Sequence, residues 1–263
     1  MEATPYSVLL SRIVARDGEA AVDVPDDWLQ GRTMFGGLQA AIALAAMRSV
    51  APAVPLRTLQ ATFLAPVPGG PVRAKARVLR SGKSATHVEG RIVAGDETLA
   101  LLVGIFGQAR ESAVALRPVQ PVVVAAAAAG PMRIAGSAPN FSQHFEARWL
   151  VGSPPFAGGS NPENVIELGM RDTGPATEAH VLAMADYIPP IALSFLNERV
   201  PGASLTWMLE LLADDVSALP LSGWRIDARM AAAGEGYVHQ SLVLWGPGGV
   251  PVALGRQSMV MFG

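Results

Sequence analysis

The sequence contains no cysteine in 263 residues, and this absence removes several kinds of site from consideration. A disulfide framework, a thiolate metal site and a cysteine nucleophile are all excluded. The four histidines, His87, His144, His180 and His239, form no H-x-H or H-x-x-x-H pair, which disfavours a zinc site. We therefore expect neither a metal nor a cofactor.

Charge is also scarce, at 16% of the residues, and it nearly balances to a net charge of −2. Nothing therefore indicates a nucleic-acid partner. Apolar stretches are interrupted by Gly, Pro or charge well before the ~20 residues that a membrane span needs. The N-terminal region lacks the basic segment and apolar run of a signal peptide. We expect a cytoplasmic protein without a membrane span.

Three common enzyme motifs are missing. The segment RSGKS lacks the earlier glycine of a Walker loop, and no G-x-G-x-x-G follows a predicted strand. No G-x-S-x-G is present, which disfavours the serine nucleophile of an α/β-hydrolase. The function must therefore come from a different arrangement of residues.

What is present is an internal repeat at an offset of 152 residues. Segment 73–93 (RAKARVLRSGKSATHVEGRIV) matches segment 225–245 (RIDARMAAAGEGYVHQSLVLW), with His87 opposite His239. In the first segment apolar and charged residues alternate, and both contain a glycine near the turn. This pattern predicts a β-hairpin with one solvent-facing side in each repeat.

Each repeat shows a helical stretch followed by four predicted strands. The first helix is GGLQAAIALAAM (36–47), which is apolar on all sides and therefore predicted to be buried. The second is predicted at about 177–196, where two consecutive prolines should kink or restart it. The next strands also correspond, because TLQATFL (58–64) parallels SLTWMLE (204–210). A helix on an antiparallel sheet, present twice, predicts an α+β fold.

The repeats divide the chain into residues 1–107 and 141–263. Between them, residues 108–140 have a mixed composition with an alanine run and are predicted to be a linker that crosses the surface. Two such repeats in one chain form a pseudo-dimer, so a site is expected between the halves. Exposed sheet edges favour further pairing into a homodimer or higher homo-oligomer.

The repeats differ in polar residues, and the difference indicates a site. Asp186 is the lone acid of the apolar run 181–193 (VLAMADYIPPIAL), whereas the first helix holds no acid. When the last strands are aligned at their ends, Gln257 lies opposite Leu101. The second repeat thus has a carboxylate and a carboxamide where the first has apolar core, which predicts that the second repeat kept the site.

Five short stretches occur in the order and spacing of a known family. They are MFGG (34–37), TLQATFLAPVPGGPVRAKARVLRSGKS (58–84), MADYIPP (184–190), ASLTWMLEL (203–211) and GRQSMVM (255–261). Over nearly its whole length the chain resembles the type II acyl-CoA thioesterase (thioesterase B-like) family, in its broad bacterial branch. The resemblance implies a double hotdog, in which each repeat wraps a curved antiparallel sheet around a long central helix. It also implies hydrolysis of acyl-CoA thioesters to fatty acid and CoA.

The resemblance implies a water-activating site in the second repeat. The family's acid falls on Asp186, its amide on Gln257 and its hydroxyl on Ser204. Thr206 lies two residues further along the predicted strand, would share the face of Ser204, and is a second candidate. Better-known members have Asp-His where this chain has Thr206-Trp207. That departure motivates the alternative of a non-catalytic acyl or acyl-CoA binding protein.

These residue types suit thioester hydrolysis. A carboxylate paired with neutral donors stays basic enough to take a proton from water, which amide and hydroxyl groups can hold. Gly36 and Gly37 open the first helix, where backbone N–H groups can polarise a carbonyl and the missing side chain admits an acyl group. The residues expected to line an apolar acyl tunnel are Phe35, Met184, Tyr187 and Met208.

Other interpretations of the candidates remain open at this point. Asp186 could instead cap a helix that restarts at the two prolines, and Gln257 could face water. Hydration of an enoyl-CoA is a third possible function, but this reaction usually requires a histidine beside the acid. His180 precedes Asp186 by six residues, which puts it on another side of a helix.

Overall fold

The structure, a computed structural model, describes residues 3–123 and 138–262. In the first repeat the helices and strands are α1 Tyr6–Ser11, β1 Val14–Arg16, β2 Glu19–Val24, β3 Leu29–Gln30, β4 Thr33–Met34, α2 Gly36–Arg48, β5 Leu56–Phe63, β6 Gly70–Ser81, β7 Thr86–Ala94 and β8 Glu97–Phe106. A 3-10 turn at Asp26–Trp28 precedes β3.

In the second repeat they are β9 Phe145–Val151, β10 Glu163–Met170, α3 Glu178–Ala185, β11 Gly202–Leu211, β12 Trp224–Gly234, β13 Tyr237–Gly246 and β14 Val250–Met261. Short 3-10 turns lie at Asn140–His144, Ile191–Phe195 and Pro247–Gly249.

The strand order displays the repeat as two mirrored halves. The main sheet runs β1-β2-β6-β7-β8-β5-β11-β14-β13-β12-β10-β9, and its neighbouring strands are antiparallel. β5 and β11 meet in the middle, with Leu59 opposite Leu209. Outward from this pair, each half continues through corresponding strands. The predicted α+β fold with two repeats is confirmed.

The helix α2 is buried because it has no polar face to present to water. Leu38, Ile42 and Met47 are fully buried, and the helix packs on β6, β7 and α3. The polar residue Gln39 is buried as well, and its Nε2 donates to the Met34 carbonyl at 2.8 Å. The apolar helix therefore forms the centre of the core.

The two predicted hairpins are present. In β6, buried Val72 alternates with exposed Arg73, so one side of the sheet faces solvent. The hairpin of β12 and β13 closes through Glu235 and Gly236, which both have positive φ, at 52° and 80°. Such a turn matches the twist of antiparallel strands.

The second helix is shorter than predicted. α3 ends at Ala185, and only a 3-10 turn, Ile191–Phe195, occupies the end of the range predicted as helix. Pro189 and Pro190 lie between them. Proline lacks the N–H that continues a helix, and it forces the preceding residue out of the helical region.

The linker can be described in part. Residues 108–123 form no helix or strand, and the alanine run at 125–129 lies outside the described residues. The predicted boundaries at 107 and 141 stay predictions. In the part of the chain that the structure describes, no helix combines the length and apolar character needed to cross a bilayer.

Candidate active site

A cavity of about 1580 Å³ has walls from both repeats. The first repeat contributes Gly36, at the start of α2, and Phe63, at the end of β5. The second contributes the predicted polar candidates Asp186, Ser204 and Gln257. Residues that are far apart in the sequence thus meet around one cavity.

Asp186 follows the last residue of α3, and its side chain reaches across to the other repeat. Its Oδ2 accepts a hydrogen bond from the Gly37 backbone N–H at 2.7 Å. Its Oδ1 accepts from Gln257 Nε2 at 2.8 Å. The interpretation of Asp186 as a cap of the proline-led turn is wrong, because Pro190 is the N-cap residue there and the carboxylate binds the first turn of α2.

The two glycines allow this close approach. A Cβ on Gly36 would lie 2.7 Å from Asp186 Oδ2, and a Cβ on Gly37 would lie 2.8 Å from Ala183 Cα. Both are tighter than side chains tolerate, so the paired glycines let α2 pack on α3 and meet the carboxylate. Gly36 lines the cavity, while the N–H of Gly37 is directed to Asp186.

Burial makes the Asp186 carboxyl a weaker acid than an exposed aspartate. Desolvation raises the pKa of this carboxyl from 3.8 to about 7, and the hydrogen bonds from Gly37 and Gln257 act in the opposite direction. Both donors are neutral, so neither suppresses the basicity of the carboxylate as a cation would. A carboxylate with a pKa near neutrality is suited to take a proton from water at physiological pH.

Gln257 points inward from β14 and is 3% exposed. Its amide nitrogen donates to Asp186, and its Oε1 accepts from Gln240 Nε2 at 3.0 Å. The interpretation that Gln257 faces water is therefore wrong. Both ends of its amide group are engaged in the protein interior, which holds it in one orientation.

The two hydroxyl candidates separate in the structure. β11 changes register against β14 between Ser204 and Thr206, so Leu205 is an extra residue of a β-bulge. Ser204 pairs with Met259 and lines the cavity, whereas Thr206 is exposed and does not line it. The expectation that both share a face is wrong, because the bulge shifts the alternation by one residue.

The four residues expected to line an acyl tunnel differ in whether they contact the cavity. Tyr187 lines the cavity, and burial raises its pKa to about 12. Phe35 is fully buried behind the wall, where its ring stacks on Phe141 at 4.1 Å. Met184 is buried in the core, and Met208 points away on β11 beside Thr206. Of the expected tunnel residues, only Tyr187 contacts the cavity.

Sequence reasoning missed Gln240 and Phe141. Gln240, in β13, is 1% exposed and hydrogen bonds to Gln257. The repeat contained the signal, because aligning the two histidines of the hairpins places Gln240 opposite the buried Val88. Phe141 lines the cavity from the 3-10 turn before β9 and follows the predicted linker, where no pattern marked it.

The pairing of the last strands corrects the alignment of Gln257 with Leu101. Gln257 pairs with Gln240, and in the first repeat Val88 pairs with Gly104. Gly104 is therefore the counterpart of Gln257. With Gly104 in place of Leu101, the first repeat still has an apolar position where the second has a carboxamide.

No group of three or more His, Cys, Asp or Glu side chains within residues 3–123 and 138–262 is arranged to hold a metal ion. The two buried histidines lie elsewhere. His144 stacks on Trp28 at 3.9 Å, and His180 Nδ1 lies 2.8 Å from Thr177 Oγ1 at the start of α3. Burial lowers the pKa of both rings. The candidate site is thus built around one carboxylate and its neutral donors.

Similar solved structures identify the class of fold. A hot dog fold protein of unknown function from Alicyclobacillus acidocaldarius has a TM-score of 0.85 and 22% identity, over 97% of both chains. The tesB protein of Mycobacterium avium subs paratuberculosis has a TM-score of 0.78 and 14% identity, over 100% of both. Acyl-CoA thioesterase II TesB2 from Mycobacterium marinum has 0.73 and 16%, over 96% of both. At these identities the likeness establishes the fold, and the predicted double hotdog is confirmed.

The family is established by sequence models of its two domains. Residues 24–107 match the acyl-CoA thioesterase N-terminal domain, and residues 120–261 match the acyl-CoA thioesterase C-terminal domain. The chain belongs to the acyl-CoA thioesterase family, as its resemblance to the type II members predicted. A comparison with curated protein sequences finds no match.

Proposed function

We propose that this protein hydrolyses acyl-CoA thioesters with a water molecule activated by Asp186. The observation that carries the proposal is the buried carboxylate on the cavity wall, held between the Gly37 N–H and the Gln257 amide. Its pKa of about 7 matches the requirement for a general base. Family membership supports thioester chemistry, and the site supports this particular base.

In the proposed reaction, Asp186 takes a proton from water as the oxygen attacks the thioester carbonyl carbon. The carbon–sulfur bond then breaks, a carboxylic acid forms, and the CoA thiolate receives the proton. Gln257 and Ser204 line the same cavity and supply neutral groups that can hold the water. Gly36, at the N-terminus of α2, lies where the helix dipole favours the negative charge that develops on the carbonyl oxygen.

The alternative is an acyl or acyl-CoA binding protein without turnover. One observation favours it: Asp186 also completes the N-terminus of α2, because its Oδ2 accepts the Gly37 N–H. A carboxylate kept for that contact alone would explain its burial without catalysis. Hydration of an enoyl-CoA has less support, because His180 bonds with Thr177 and faces Asp172 at 3.7 Å, on a different side of α3.

Thiol release from short, medium and long acyl-CoAs tests the proposal, with wild type compared to Asp186→Asn. Asn keeps an oxygen that can accept from Gly37 but removes the base, so we expect a rate loss of about 10²–10⁴-fold. Asp214→Asn is the matched control, since Asp214 is ion-paired with Arg57 and does not line the cavity. Ligand-induced thermal stabilisation without thiol release from any substrate would favour the binding protein instead.

The substrate, the cellular location and the oligomeric state are further parts of the proposal. We expect the substrate to be an acyl-CoA and the location to be the cytoplasm. A homodimer or higher oligomer could form through the edge strands β1 and β9, which have unpaired backbone groups on one side. Size-exclusion chromatography with light scattering measures the assembly, and a monomer would contradict that expectation.

A further inference from the structure

The side chain of Gln240 connects the loop after Asp186 to the amide of Gln257. Its Oε1 accepts from the Ile191 backbone N–H at 2.9 Å. Its Nε2 donates to Gln257 Oε1 at 3.0 Å and lies 3.5 Å from the Pro189 carbonyl. The contacts from Ile191 to Gln240, from Gln240 to Gln257 and from Gln257 to Asp186 therefore form a chain of three hydrogen bonds that ends at the carboxylate.

The direction of this hydrogen-bond chain has only one solution. A backbone N–H can donate but not accept, so Ile191 forces Gln240 to present its oxygen there. Gln240 must then present its NH2 group to Gln257, and Gln257 must accept with its oxygen. The NH2 group of Gln257 is thereby left facing Asp186, at 2.8 Å. The amide orientation at the site is thus set by a backbone group two steps away.

The first repeat shows that the fold does not need this chain of hydrogen bonds. Val88 and Gly104 occupy the positions of Gln240 and Gln257, and both are buried. A buried amide without partners costs free energy, and here the partners of the two glutamines are each other, the Ile191 N–H and Asp186. The pair occurs in the repeat that carries Asp186.

We infer that Gln240 is a positioning residue, which holds the Gln257 amide with its NH2 group toward Asp186. The effect on turnover rests on the proposed function, while the effect on the carboxylate does not. Donation from Gln257 favours the ionised form of Asp186. Releasing the Gln257 amide should therefore weaken that donation and raise the pKa of the carboxyl.

The test compares wild type with Gln240→Met, which keeps the length of the side chain and removes its hydrogen bonds to Ile191, Pro189 and Gln257. The carboxyl of Asp186 is titrated directly by ¹³C NMR, its signal assigned by its loss in Asp186→Asn. We expect its pKa to rise above the wild-type value. We also expect kcat on acyl-CoA to fall about tenfold, a smaller loss than the ~10²-fold that a misplacement of 1 Å causes. KM should stay within about twofold of the wild-type value.

Two further variants separate positioning from packing. Leu244→Val shortens another buried residue on the same face of β13 and should lower the melting temperature without moving the Asp186 titration. In a Gln257→Ala background, Gln240→Met should change the titration no further, because the amide it orients is gone.

Tyr6 and Tyr187 do not disturb the titration. The charge of Asp186 adds to the burial that raises the pKa of Tyr6, and the pKa of Tyr187 is about 12. Both stay neutral across the titration range of the carboxyl.

The inference is overturned if Gln240→Met lowers the melting temperature and leaves the Asp186 titration unchanged. If the titration shifts but wild type releases no thiol, the positioning role stands and the proposed hydrolysis fails.

Discussion

The two central helices are completed at their N-termini in different ways. In the second repeat, Thr177 caps α3 from within: its side chain accepts from the His180 N–H, and the His180 ring accepts from the Thr177 N–H. In the first repeat, the N-cap residue of α2 is Phe35, whose side chain makes no capping hydrogen bond. The donor at Gly37 goes instead to Asp186, 149 residues away.

This difference shows how two similar repeats can share one site. The first repeat contributes a helix end whose Gly37 N–H reaches Asp186, because Gly36 and Gly37 carry no side chain that would block the approach. The second contributes the carboxylate and the amides, and its own helix needs no partner. A helix N-terminus stabilises negative charge, so the start of α2 favours the ionised form of the Asp186 carboxylate.

The largest expected effect tests whether the carboxylate at this helix end is the base. If Asp186 must be ionised, kcat/KM should rise with pH and level off above about 7, where its pKa lies. On the acid side the rate falls about tenfold per pH unit. The residual rate of Asp186→Asn should lack this limb. An acid limb near pH 4, where an ordinary aspartate titrates, would contradict the assignment.

The next largest effect is expected when a side chain is added at the N-terminus of α2. Gly37→Ala places a Cβ 2.8 Å from Ala183 Cα, so α2 must move away from α3 and from Asp186. Such overpacking costs roughly 1–3 kcal/mol of the free energy of unfolding, and we expect a lower melting temperature together with a lower kcat. Calorimetry and thiol release measure both.

The matched control for that change is Gly234→Ala at the end of β12. A Cβ there meets nothing within 4 Å, so stability and activity should stay close to wild type. Equal effects from the two glycine substitutions would show that close packing of α2 on α3 is not what Gly37 provides.

The smallest expected effect separates the two hydroxyls of β11. Ser204→Ala removes a hydroxyl from the cavity wall, and we expect kcat to fall about tenfold, as for a group that helps to hold the water. Thr206→Val changes an exposed side chain on the other face and should leave kcat within about twofold. A larger loss at Thr206 than at Ser204 would mean that the bulge at Leu205 does not orient this strand as described.

Much of the fold follows from local patterns. The all-apolar stretch of α2 predicts a buried helix, and the alternation around each hairpin predicts which side faces solvent. The two prolines predict a kink or a restart of the second helix, and the structure shows a longer interruption, because α3 stops at Ala185 and only a 3-10 turn occupies the end of the predicted range.

The candidate site could be predicted where the two repeats differ in residue type. Asp186 stands out in an apolar run, and Gln257 in a strand whose counterpart is apolar. Gln240 carries the same kind of signal, because the offset of 152 residues places it opposite Val88. Phe141 could not be found in this way, because it lies outside the stretches that align between the two repeats.

The sequence by itself determined the double repeat, its buried helices, its alternating strands and the acid that breaks one apolar run. These features depend on periodicity and residue type, which act over a few neighbouring positions. Only the tertiary structure decided that the acid binds Gly37, that a bulge separates Ser204 from Thr206, and that Gln240 orients Gln257. Those outcomes depend on how closely two helices pack and which residues pair across strands, so they arise only when distant parts of the chain are brought together.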